Sequence, residues 1–128
     1  MIGVDTSALM AIVLNEAAGP ACMEALRANS PLLISAGTLT EALIVSQARH
    51  SREDLQSLID DLGFEIMPVT GATARRIGRI YAQWGRGAKT AGLNFGDCFA
   101  YDVARENGCA LLYVGRDFAK TDVPPVLR

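Results

Sequence analysis

Ile2-Gly3-Val4-Asp5-Thr6-Ser7-Ala8-Leu9 is the run on which the reading of the whole chain turns. Ile2 to Val4 is an apolar triplet of the kind that forms a short buried strand, and it stops at an acid, Asp5. Thr6 or Ser7 then offers a hydroxyl to cap a helix through Ala8 to Leu14. The same alternation recurs downstream. Glu16 to Ala28 is a second helical stretch, loosened by Gly19-Pro20. Pro31 precedes the apolar run Leu32-Leu33-Ile34, a second strand, and Ser35 to Gln47 is helical with Leu39, Leu43 and Ile44 on one face. Ser51 and Asp54 resemble a capping box that opens a helix ending at Gly63. Phe64 to Val69 reads as a strand broken near Pro68, and Thr70 to Trp84 as a helix. A glycine-bearing loop with Arg86 and Lys89 follows. Asn94 or Phe95 starts another helix, ended by Gly108, and Ala110 to Val114 is the last strand. Strands that alternate with helices in this way predict an α/β fold, a parallel sheet covered by helices on both faces.

The bulk composition fits one domain spanning residues 1–128. Half of the 128 residues are hydrophobic, enough to bury a core, and 20% are charged with a net charge of −2, which excludes a disordered or fibrous chain. A near-neutral balance does not advertise nucleic-acid binding, although acids clustered in a site can mask basic residues elsewhere. Cys22, Cys98 and Cys109 form no C-x-x-C pair, so neither a zinc site nor a disulfide framework is signalled. His50 is the single histidine and reads as a helix-end residue, which leaves histidine triads without material. Serine nucleophile elbows and phosphate-cradling glycine loops are absent. No apolar run reaches membrane-spanning length and no secretory leader is evident, so a cytoplasmic protein is expected.

Four acids carry the chemistry. Asp5 follows the first strand and Asp117 the last, and open α/β sheets place their crevice at these carboxyl ends. Glu41 lies on the helix after the second strand, and Asp97 in the first turn of the helix near Phe95. Each has an ordinary reading: Asp5 as a cap, Glu41 as a solvated helix charge, Asp97 as an acid favoured by the helix dipole, Asp117 as a turn residue. Yet Glu41 is flanked by Leu39, Ala42 and Leu43, and Asp97 lies between Phe95 and Cys98-Phe99. Acids in apolar surroundings need a partner, and no basic residue in these segments is an obvious one for all four. A hard divalent cation, Mg²⁺ or Mn²⁺, fits carboxylate and water oxygens, with Thr6 and Ser7 as minor polar contributors. Such a pocket can bind a phosphodiester and activate water. Asp102, five residues after Asp97, points away from it on the helix and is left outside the site.

Val4-Asp5-Thr6-Ser7-Ala8-Leu9, Thr40-Glu41-Ala42, Gly92-Leu93-Asn94-Phe95-Gly96-Asp97-Cys98-Phe99-Ala100-Tyr101 and Leu111-Leu112-Tyr113-Val114-Gly115-Arg116-Asp117-Phe118 together resemble PIN-domain toxins of the VapC type, in order and essentially end to end. The resemblance implies a PIN fold and a Mg²⁺- or Mn²⁺-dependent endoribonuclease with Asp5, Glu41, Asp97 and Asp117 as its acidic set. It also implies a toxin neutralised by a cognate antitoxin, commonly as a homodimer. Asp102 stands where such sequences often carry a small apolar residue. Arg86 and Lys89 are candidate contacts to RNA phosphates at the pocket rim. Two other readings compete: a PIN-fold module that binds RNA or protein without cutting, against which the four intact acids argue, and a phosphatase with Asp5 as covalent nucleophile. The latter chemistry wants an acid or threonine two residues on, where this chain has Ser7.

Overall fold

The computed structural model describes residues 1–88 and 90–128. Its elements are β1 (Ile2–Val4), α1 (Thr6–Val13), α2 (Gly19–Ala28), β2 (Leu32–Ser35), α3 (Ala36–Ala48), α4 (Arg52–Leu62), β3 (Glu65–Met67), α5 (Gly71–Trp84), α6 (Phe95–Glu106) and β4 (Ala110–Leu112). The strands form one parallel sheet in the order β3-β2-β1-β4, with Gly3 opposite both Leu33 and Leu111. The chain builds outward from β1 through β2 to β3, then returns to set β4 on the other side of β1. Strand order therefore reverses between β1 and β4, and that is where a doubly wound sheet opens a crevice at its carboxyl ends. Asp5 and the turn bearing Asp117 leave the sheet at this point.

The alternation of side chains along each strand divides the core in two. Ile2, Val4, Leu32, Ile34 and Leu112 pack with Leu9, Leu26 and Leu55 from α1, α2 and α4. Leu111, one residue from Leu112, joins Ile77 of α5, Cys98 and Tyr101 of α6, and Phe118. Helices on both sides of the sheet follow from this division, as the alternation of elements in the sequence predicts.

Local differences have identifiable causes. Asp5, rather than Thr6 or Ser7, caps α1, because its carboxylate accepts the Ser7 amide at 3.0 Å. α2 begins at Gly19 rather than Glu16, with Pro20 in its first turn, where a missing amide hydrogen costs nothing. Ser51 forms no capping box: its hydroxyl donates to the Arg49 carbonyl, in a tight link that its own amide closes on Ser46. The strand expected over 64–69 contracts to Glu65–Met67 ahead of Pro68, and β4 stops at Leu112 because the Val114 amide donates to Ser7 Oγ instead of continuing the ladder.

Asp102 is buried on α6 and explained by a residue of α5. Arg76 Nε and Nη2 donate to its two carboxylate oxygens at 2.7 and 3.0 Å, and Nη2 also reaches Thr73 Oγ1. The Asp102 side chain is 5% exposed and that of Arg76 28%. This asymmetry gives a prediction. Arg76→Met strands a buried carboxylate and should destabilise the fold by about 3 kcal/mol, whereas Asp102→Leu leaves Arg76 within reach of water and Glu106 and should cost about 1 kcal/mol or less. Urea unfolding of both variants checks this; equal losses would refute the asymmetry.

Candidate acidic site

Residues 5 to 7 knot three segments together. The Ser7 amide and hydroxyl both donate to Asp5 Oδ2, at 3.0 and 2.6 Å, while the Val114 amide donates to Ser7 Oγ at 3.0 Å. The exit of β4 is thereby tied to the start of α1. Thr6 Oγ1 donates to Glu41 Oε1 at 2.8 Å and lies 3.3 Å from the Thr38 carbonyl, which brings α3 to the same point. Asp5 and Thr6 are buried, at 4% and 8% exposure.

Asp97 arrives from α6. Asn94 and Asp97 form a reciprocal capping box: Asn94 Oδ1 accepts the Asp97 amide, and Asp97 Oδ2 accepts the Asn94 amide. Asp97 thus sits at a helix terminus, and its carboxyl also feels the charges of Asp5, Asp117 and Glu41. Asp117 sits exposed on its turn, and Glu41 is half-buried. All four sequence-predicted acids converge on the crevice at the β1–β4 switch. Arg86 is exposed on the glycine-bearing loop; Lys89 falls outside the described residues.

Two glycines make the convergence possible. A Cβ on Gly96 would stand 2.5 Å from Glu41 Oε2, and one on Gly37 would stand 2.5 Å from the Phe99 ring. Each of α3 and α6 thus receives a side chain from the other in a space only glycine leaves open. Sequence reasoning quoted Gly96 within a motif but missed this role; a glycine inside the first turn of a helix was the available signal.

Burial raises the Asp5 carboxyl from 3.8 to about 6, with Glu41 adding to the effect and the two Ser7 hydrogen bonds opposing it. Burial likewise lifts Asp97 to about 6; the Asn94 amide opposes the shift, and the charges of Asp5, Asp117 and Glu41 reinforce it. Desolvation and repulsion therefore outweigh capping and helix dipole. The ion pairs among the described residues engage Asp102, Glu106 and Asp122, and none reaches the four acids. No three His, Cys, Asp or Glu side chains among the described residues close into a ready-made cage. The carboxylate oxygens of the four acids are hard donors, of the kind that suits a cation that keeps several waters and takes one or two carboxylates directly, as Mg²⁺ does.

The raised values have a sign. A carboxyl whose folded pKa exceeds its unfolded value binds more protons folded than unfolded between about pH 4 and 6, so the metal-free protein loses stability as pH rises through that window. Asp97→Asn keeps the cap and removes the charge. Without metal it should exceed the unsubstituted chain by about 2 kcal/mol at pH 7, a gap that closes toward pH 4. Were Asp97 only a helix-terminus charge, the substitution would instead cost roughly 0.3–1 kcal/mol at pH 7. Chemical unfolding at both pH values separates the two.

The profile of the PIN domain family matches residues 2–124. Ribonuclease VapC36 of Mycobacterium tuberculosis is 38% identical over 125 residues, spanning 94% of this chain and 89% of that protein. Ribonuclease VapC28 of the same organism is 38% identical over 128 residues, spanning 97% and 96%. In three dimensions, M. tuberculosis VapC20, a toxin that cleaves the sarcin-ricin loop, superposes with a TM-score of 0.76 at 17% identity over 96% of each chain. A toxin–antitoxin complex from Klebsiella pneumoniae gives 0.71 at 19% identity over 95% of this chain and 93% of that one. Those two structures bear on the fold; the family rests on the profile and the sequence relatives. With its acids gathered at the switch point of a parallel sheet, and these relatives matched along nearly its whole length, the chain belongs to the PIN-domain family and, within it, to the VapC proteins.

Proposed function

We propose that this chain is the toxin of a toxin–antitoxin pair, an endoribonuclease that hydrolyses RNA phosphodiester bonds with Mg²⁺ or Mn²⁺ at the pocket of Asp5, Glu41, Asp97 and Asp117. The observation that carries the reading is the burial of Asp5 beside the charge of Glu41, and of Asp97 beside that of Asp5, with no ion pair to either among the described residues, in a chain whose relatives, matched along nearly their whole length, are named ribonucleases. A bound cation would offset phosphate charge and lower the pKa of its water. The protein's own work is positioning. Ser7 fixes the rotamer of Asp5, Thr6 that of Glu41, and the Asn94 amide that of Asp97. Glu41 and Asp117, the less buried pair, are the acids that entering water and substrate meet first. Arg86, exposed at the loop, would contact a flanking phosphate.

Two partners follow from this reading. An antitoxin segment bearing Arg or Lys would neutralise the pocket through charge-assisted hydrogen bonds. A second copy of the chain would cover the apolar surface beside it: Phe95 is 73% exposed and Val69 44%, above a floor of Ala36, Gly37 and Thr40. Phe95 stands edge-on to Phe99, with centroids 5.1 Å apart, which holds the exposed ring in place.

Cleavage of RNA should require Mg²⁺ or Mn²⁺ and stop in EDTA; undiminished cleavage by metal-stripped protein would end the metal reading. Gly96→Ala, which drives a methyl into the Glu41 carboxylate, should lower the cleavage rate about tenfold or more with a nearly unchanged melting temperature. Full activity in that variant would remove Glu41 from the mechanism. Phe95→Asp should sediment as a monomer where the unsubstituted chain sediments as a dimer.

A further inference from the structure

Two irregular segments flank elements that carry the acids, the loop that leads into α6 and the turn that bears Asp117, and one hydroxyl is linked to both. The glycine-bearing loop starts where α5 ends: the Gly92 and Leu93 amides donate to the Trp84 carbonyl, and the Arg86 amide to that of Leu93. The turn bearing Asp117 runs from Gly115 to Asp122 and is pinned by Phe118, which is 2% exposed and packed on Tyr113 with centroids 5.0 Å apart. Tyr101 lies between the two. Trp84 Nε1 donates to its hydroxyl at 3.0 Å, and the hydroxyl donates to Asp122 Oδ1 at 2.5 Å. Tyr101 is 5% exposed and sits on α6 one turn after Asp97, on the same side of the helix. Three elements that carry site residues thus meet at one oxygen atom.

We propose that Tyr101 is a positioning residue. Its hydroxyl, bridging Trp84 and Asp122, sets the Asp117 turn and the Arg86 loop in register with Asp97. The inference rests on the ribonuclease reading above. The bond is geometrically specific: it needs an acceptor at residue 122, not a charge there. Arg105 lies 3.6 Å from the other oxygen of Asp122, with both side chains about half exposed, so that ion pair is weak and screened. Burial and the bond to Asp122 push the Tyr101 hydroxyl up to about 12, so it stays a donor throughout the working range.

The test compares Tyr101→Phe, Asp122→Ala, Asp122→Asn and the double variant Tyr101→Phe/Asp122→Ala with the unsubstituted chain and with Asp97→Asn. The readouts are RNA cleavage, the melting-temperature shift with Mn²⁺ and the emission of Trp84, the chain's single tryptophan. Tyr101→Phe and Asp122→Ala should each lower kcat by about tenfold to a hundredfold at an unchanged KM, since a displacement of about an ångström at a reacting group costs that much. The double variant should be no worse than either single one, because all three break one chain of bonds. Asp122→Asn keeps an acceptor oxygen and should behave as the unsubstituted chain. Tyr101→Phe should also shift Trp84 emission and shrink the Mn²⁺ stabilisation. Unaltered kcat in Tyr101→Phe with only a lower melting temperature would overturn the proposal, and so would additive losses or an Asp122→Asn as poor as Asp122→Ala. If the unsubstituted chain cleaves no RNA, the ribonuclease reading fails separately. The Mn²⁺ shift then decides alone, and equal shifts in the unsubstituted chain and Tyr101→Phe would overturn the positioning role.

Discussion

Asp5 is a carboxylate at the end of a buried strand with 4% of its surface exposed, and the surrounding structure is arranged around that fact. An isolated ionised acid in such a place costs several kcal/mol unless something answers its charge. Ser7 answers part of it with an amide and a hydroxyl on the same oxygen. Those two bonds do not suffice, because the carboxyl remains raised to about 6. The deficit is built into the fold: strand order reverses beside β1, so the switch point forces Asp5 and the Asp117 turn together, and α3 and α6 each deliver another acid. What stabilises the chain as a whole lies elsewhere, in the two apolar clusters on either face of the sheet. Acids that repel one another, held together by support from outside, are how functional sites commonly trade stability for chemistry.

Close approach is the second condition. Gly37 and Gly96 let α3 and α6 exchange side chains, Phe99 into one space and the Glu41 carboxylate into the other. The same contact that seats Glu41 leaves Phe95 outside, at the start of α6 and next to the acids. The apolar surface proposed for a second copy and the acidic pocket proposed for RNA are therefore two sides of one helix junction. On that reading, pairing and catalysis share their structural support.

Much of this was legible before the structure. Short apolar runs alternating with helical stretches were enough for a parallel α/β sheet; Asp5 and Asp117 stood out because they follow strands, and Glu41 and Asp97 because apolar neighbours make an uncompensated charge expensive. What stayed hidden depends on distance across the chain. Asp102 could be placed off the Asp97 face by helical angle, but its partner Arg76 lies on another helix, and no local pattern links them. Asp5 as a cap, and Thr6 and Ser7 as hydroxyls near the pocket, were legible; that Thr6 holds Glu41 across 35 residues and Ser7 bridges Asp5 to Val114 across 107 was not. No local pattern links Asp122 to Tyr101; that it accepts from the Tyr101 hydroxyl follows only once the turn after β4 folds back over α6. Local rules reach helix ends and strand faces, and long-range hydrogen bonds lie beyond them.

On the function proposed above, Asp5 and Asp97 are held where a cation, and not a protein base, completes their charge. Metal binding to a half-protonated pair must expel protons. Calorimetric titration with Mn²⁺ in two buffers of different ionisation enthalpy, at pH 6 and again at pH 7.5, measures that expulsion directly. With both carboxyls raised to about 6, release of about one proton per bound ion is expected at pH 6 and almost none at pH 7.5, with binding weakened by Asp5→Asn or Asp97→Asn. Mn²⁺ binding that releases no proton at pH 6 and is indifferent to both substitutions would contradict it.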